Sequence, residues 1–110
     1  MHFFAIVART MRQVLVDHAR RRNAAKRGGG NRPVTLDEAG AVPGGADELL
    51  ALDLALDALA RHDDRKARIV ELHYFGGLTH AEIATALEIH VNTVARDLRF
   101  AQAWLQRAMA

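Results

Sequence analysis

Apolar residues near the start of the chain recur at helical spacing. Phe4, Val7, Met11, Val14 and Leu15, with His18, lie three and four residues apart and no Gly or Pro interrupts them, which predicts one amphipathic helix from residue 2 to about 26. Its stripe needs a partner, either residues 46 to 110 or a second copy of the helix. From Gly28 the composition changes to GGGNRPVTLDEAGAVPGG, where glycines free the backbone and Pro33 and Pro43 disfavour helix, so residues 28–45 read as a flexible linker. From Ala46 onward four helical patterns follow in close succession, with no alternating run long enough for a strand and no internal repeat. The expectation is an all-α chain: an N-terminal helix within residues 1–27, a linker over 28–45, and a four-helix domain over 46–110.

Local signals mark the ends of these helices. Asp47 reads as the N-cap of LLALDLALDALAR, whose Leu49, Leu52, Leu56 and Leu59 share a stripe. Asp63 or Asp64 caps RKARIVELHYF, with Ile69, Val70, Leu72 and Phe75 as its apolar set, and Gly76-Gly77 ends it at about Phe75 with a left-handed residue. Thr79-His80-Ala81-Glu82 fits a capping box, in which the threonine hydroxyl accepts from the amide of residue 82 and the glutamate accepts from the amide of residue 79. A helix should therefore begin at His80 with Ile83, Ala84 and Leu87 facing inward. Glu88-Ile89-His90 connects it to a last helix from about Val91 to Ala108. That spacing is helix-turn-helix spacing. In the last helix Val94, Leu98, Ala101 and Leu105 form the inner stripe, leaving Asn92, Arg96 and Arg99 at i, i+4 and i+7 on the opposite face. Amide and guanidinium groups so placed can make paired hydrogen bonds to base edges in a major groove.

Charge sharpens this reading. The net charge of +2 conceals a basic start, where eight Lys and Arg residues up to Arg32 face only Asp17, and an acidic stretch over residues 34–64, where eight carboxylates face only Arg61. A basic block and a basic end separated by an acidic middle suggest two surfaces that could meet a polyanion. With no cysteine there is no disulfide framework and no thiolate metal site, which suits a cytoplasmic location. FFAIVA is too short to span a bilayer and follows a histidine where a secretory signal would carry Lys or Arg.

With these residues in view, YFGGLTHAEIATALEIHVNTVARDLRFAQAWL resembles the DNA-binding helix-turn-helix of sigma region 4 in bacterial RNA polymerase sigma factors, particularly the extracytoplasmic-function (ECF) type. Independently, HFFAIVARTMRQVLVDHARRRNAAKRGGG is similar to the final helix of sigma region 2 and the start of the interdomain linker. The resemblance implies that region 4 recognises the minus 35 promoter element as duplex DNA and packs an apolar groove on the flap of the polymerase beta subunit, while region 2 recognises and helps open the minus 10 element. Carried over by position, Asn92, Thr93, Arg96 and Arg99 are the minus 35 candidates and Thr79 a phosphate contact at its helix N-terminus. Arg12, Arg20 and Arg21 are carried over as minus 10 backbone contacts. An anti-sigma factor is a further partner that the resemblance implies.

Three departures qualify it. The likeness starts inside the last region 2 helix, which implies a truncated form without the surface that grips the polymerase clamp. His90 stands where relatives often carry a serine and is a weaker cap, so the last helix should fray at its start or use Asn92. Ala95 occupies a position where a basic residue is common. The alternatives are a helix-turn-helix regulator that does not engage polymerase, or an interaction module whose N-terminal helix forms a homodimer or covers region 4 as an anti-sigma helix would. The histidines offer no HExxH-like pairing, GGG at 28–30 lacks a Walker Lys-Ser, and Trp104 with Phe100 reads as a packing anchor. No catalytic constellation, metal or cofactor is expected; the function read here is binding, not an enzyme's.

Overall fold

The computed structural model describes residues 2–29 and 45–110. Among them are five helices and no strand: α1 (His2–Gly29), α2 (Ala46–His62), α3 (Asp64–Tyr74), α4 (His80–Leu87) and α5 (Val91–Met109). The chain is all-α, as its periodicity predicts. Helix α1 runs on through Gly28 and Gly29, two residues into the stretch read as linker, and residues 30–44 of that stretch lie outside the described residues.

Helices α2 to α5 close around one core. Leu56, Leu59, Ile69, Val70, Ile83 and Val94 are its largest fully buried side chains, and Leu98, Ala101 and Leu105 extend it along α5. Most helix ends are fixed by side chains or left-handed residues. Asp63 caps α3, accepting from the Lys66 amide, and Gly77 supplies a φ of 71° after α3 ends. Asp47 does not cap α2. The cap position is Gly45, two residues earlier, which places Asp47 in the first turn, where its carboxylate complements the helix dipole and accepts from Asn23 Nδ2 at 2.7 Å.

Helix α1 lies across α2 and α3, but not by the stripe that its sequence suggests. Phe4, Val7, Met11 and Val14 are exposed, together with Phe3 and Ile6. The docked face is rotated away from them and consists of Ala8, Val16 and Ala19, all buried, with Arg12 among them. Small residues allow the close approach: a Cβ built on Gly76, just after α3, would stand 3.2 Å from the Ala8 Cβ and 2.7 Å from the Leu72 carbonyl oxygen. Val16 and Ala19 pack with Leu49 in a second small cluster. Within the chain, then, ion pairs and small side chains hold α1, and of the apolar stripe Leu15 packs with Val16 and Ala19 while Phe4, Val7, Met11 and Val14 stay exposed.

Candidate nucleic-acid interface

Helix α4 is started by its capping box. Glu82 N–H donates to Thr79 Oγ1 at 3.2 Å, and Thr79 N–H donates to Glu82 Oε1 at 2.8 Å. Both groups are exposed, so the Thr79 hydroxyl stands at an open helix N-terminus with its local bonds already made. At the other end Glu88 takes a left-handed conformation, φ 58°, and the Ile89 amide returns to the Ala84 carbonyl at 3.0 Å. This tight turn sends the chain into α5 within three residues.

His90 is a working cap, contrary to the fraying expected of it. Its Nδ1 accepts from the Asn92 amide at 3.0 Å, which leaves the ring proton on Nε2 and the Asn92 side chain free of capping duty. Along α5, Val94, Leu98, Ala101 and Leu105 are buried while Asn92, Arg96 and Arg99 are exposed and Thr93 is half-buried between the two faces. Neither arginine has an ion-pair partner among the described residues. Two guanidinium groups and an amide thus converge on one outward strip whose opposite side is anchored in the core. Phe100 is exposed rather than an anchor, with the Lys66 ammonium 5.0 Å from its ring centre; Trp104 is half-buried on the core and stacks with His62.

Asp97 departs from the sequence reading, which assigned it nothing. Although it lies between Arg96 and Leu98 on α5, its side chain is only 4% exposed. Arg65 Nε donates to its Oδ2 at 2.8 Å, and Lys66 Nζ lies 3.7 Å from its Oδ1. Lys66 also pairs with the Asp63 carboxylate at 2.7 Å. That hydrogen bond is the main reason the Asp63 pKa is lowered; slight burial works against it, and the Lys66 amide adds to it.

The candidates on α1 separate. Arg21 is exposed and unpaired among the described residues. Arg20 is exposed too, with long ion pairs to Asp17 at 3.6 Å and Asp53 at 3.8 Å. Arg12 is only 12% exposed and spends its guanidinium inside the chain. It donates from Nε to Asp53 Oδ1 at 2.7 Å, from Nη1 to Glu71 Oε2 at 3.0 Å, and from Nη2 to the Asp53 carbonyl and Asp57 Oδ1 at 3.0 and 2.9 Å. Burial disfavours its charge, but the hydrogen bonds to Glu71 and Asp53 and their negative charges outweigh that and raise its pKa. In this arrangement Arg12 does not present itself to a phosphate. A cleft of about 680 Å³ beside it is walled by the same charged side chains, with Arg12 joined to Asp53, Asp57 and Glu71.

No helix among the described residues is long and apolar enough to cross a membrane, and no group of three or more potential metal ligands occurs among them. No curated protein and no solved structure matches the chain. Against known families, the ECF sigma factor description matches residues 1–110. Spanned by that match from end to end, the chain belongs to the ECF sigma factors, which act in transcription initiation with RNA polymerase and promoter DNA.

Proposed function

We propose that α4 and α5 form a helix-turn-helix that reads the minus 35 promoter element as duplex DNA, and that the chain thereby directs RNA polymerase, through the beta flap, to its promoters. The observation that carries this reading is the outward strip of α5. Asn92, Arg96 and Arg99 are exposed, and the two arginines have no carboxylate partner among the described residues. Such groups on a helix that fits a major groove recognise guanine and adenine edges; Thr93, half-buried beside them, joins that set, and Thr79, exposed at the N-terminus of α4, is the phosphate contact. Arg21 and Arg20, exposed on α1, serve the DNA backbone near the minus 10 element. Arg12 has no part in this while it is bound to Asp53, Asp57 and Glu71.

The test separates base reading from charge. Arg96→Ala should cost about 1–3 kcal/mol on a cognate minus 35 duplex and relax its sequence preference, whereas Arg21→Ala should weaken binding to all sequences and lower the salt slope by about one. Both are measured by fluorescence anisotropy across salt concentrations, with folding checked by circular dichroism. Unchanged discrimination by a folded Arg96→Ala chain would remove Arg96 from the reading face. Co-purification with core polymerase tests the second half of the proposal; a chain that binds promoter duplex but never polymerase is a helix-turn-helix regulator instead.

A further inference from the structure

We infer that Asp97 is a positioning residue for DNA recognition: it fixes the roll of α5 about its own axis and so sets where Asn92, Arg96 and Arg99 point. The inference rests on the reading of α5 as the recognition helix. The inner stripe of α5 is made of Val94, Leu98, Ala101 and Leu105, aliphatic side chains whose contacts have little directionality. Such a stripe holds a helix against a core but resists rolling weakly. Asp97 sits at the edge of that stripe, buried, and its carboxylate is fixed by a directional, charge-assisted hydrogen bond from Arg65 at 2.8 Å and attracted by the Lys66 ammonium at 3.7 Å, both residues being in the first turn of α3. Lys66 is tied in turn to Asp63, the residue that caps α3. The chain of contacts therefore runs from a helix N-terminus that cannot shift without losing its cap to the residue beside Arg96.

The geometry gives this a consequence for specificity. Side-chain tips lie roughly 5–6 Å from a helix axis, so a roll of about 20° moves them by about 2 Å. Paired hydrogen bonds to a base edge tolerate far less than that, whereas contacts to phosphates adapt. Fold stability depends less on Asp97. Without it Arg65, already 48% exposed, turns to water, and Lys66 keeps Asp63 and the Phe100 ring. Removing one partner of an ion pair is costly where the charge left behind stays buried; here Arg65 reaches water and Lys66 retains Asp63, so little unpaired charge remains inside.

The experiment uses the whole chain and a fluorescent duplex selected from a randomised pool by the wild-type chain, beside a scrambled duplex of equal length. Asp97→Leu should melt close to wild type, bind the scrambled duplex with affinity and salt slope unchanged, and lose about tenfold in the ratio of cognate to scrambled affinity. Asp97→Asn, which retains an acceptor for Arg65, should recover most of that ratio. Should Asp97→Leu not fold, Arg65→Met removes the donor from a half-exposed position on the other helix and should lower the ratio likewise. A wild-type chain that shows no sequence preference overturns base reading by α5 and this inference with it. A discriminating wild type beside a folded Asp97→Leu or Arg65→Met chain that discriminates equally well overturns the role of Asp97 alone.

Discussion

Glu88 occupies a left-handed backbone conformation, φ 58°, that costs a residue with a Cβ about 1–2 kcal/mol. Its side chain is exposed and has no partner among the described residues, so nothing local offsets that cost. Glu88→Gly should therefore stabilise the chain by about 0.5–1 kcal/mol in urea denaturation, the gain being trimmed by glycine's freedom in the unfolded state. Unchanged stability would mean that the turn into α5 is unstrained. Asp63 makes a prediction in pH. Its pKa is lowered in the folded chain, so the stability it contributes is present above the unfolded carboxylate value of about 3.9 and is lost as pH falls through the lower folded value. Asp63→Asn, which can still cap α3 but carries no charge for Lys66, should therefore lower the melting temperature at pH 7 and lose less than wild type below about pH 4, so that the two chains converge in acid. At this scale the sequence was most readable where the signal was local. Thr79 and Glu82 announced their box because both partners lie within one turn, and Asp63 its cap. Asp47 misled because a good capping residue two positions inside a helix has the same sequence surroundings as one at its start.

Helix α1 shows where periodicity stops being informative. Its apolar stripe through Phe4, Val7, Met11 and Val14 is real, but an amphipathic pattern says only that a face is apolar, and this one is exposed in the structure. The docked face could not be read from residue spacing, because what selects it is Arg12 meeting Asp53, Asp57 and Glu71, carboxylates 41 to 59 residues away in sequence. The outward strip of α5 was legible for the opposite reason, since burial and exposure there alternate within a single helix; Asp97 was not, since its partners are on α3. The Arg12 arrangement predicts a large mutational effect. Arg12→Ala leaves Glu71, 7% exposed, with only the more distant Arg9 at 3.5 Å, and Asp53 with only Arg20 at 3.8 Å. Removing one side of a buried ion pair costs about 3–5 kcal/mol, so the variant should lose about 3 kcal/mol and α1 should detach from α2 and α3. Urea denaturation measures the first and amide exchange along α1 the second. A loss below about 1 kcal/mol would show that the apolar contacts of Ala8 and Val16 suffice.

Over the whole molecule, the opposed charge blocks turn out to be partly complementary to one another. The basic block of α1 meets the acidic stretch of α2 through Arg12 and Arg20, with Asn23 donating to Asp47 nearby, so some of the positive charge that suggested a polyanion is neutralised within the chain. The docking should nevertheless respond unevenly to salt, because its two ends differ in exposure. At the Ala8 to Val16 end the Arg12 ion pairs are mostly buried and sit beside close contacts to Gly76, so mobile ions cannot reach between the charges. At the other end Arg20 is 62% exposed with ion pairs no shorter than 3.6 Å, and Asn23 bonds to Asp47 at an exposed site. Raising the salt from 0.15 M to about 0.5 M shortens the screening length from about 8 Å to about half that, which weakens exposed pairs and leaves buried ones nearly untouched. Amide exchange should accordingly stay slow around Ala8 to Val16 and quicken from Ala19 to Ala25. Uniform acceleration along α1 would mean that the Arg12 contacts are open to solvent and that the helix is held by long-range attraction between its two charge blocks.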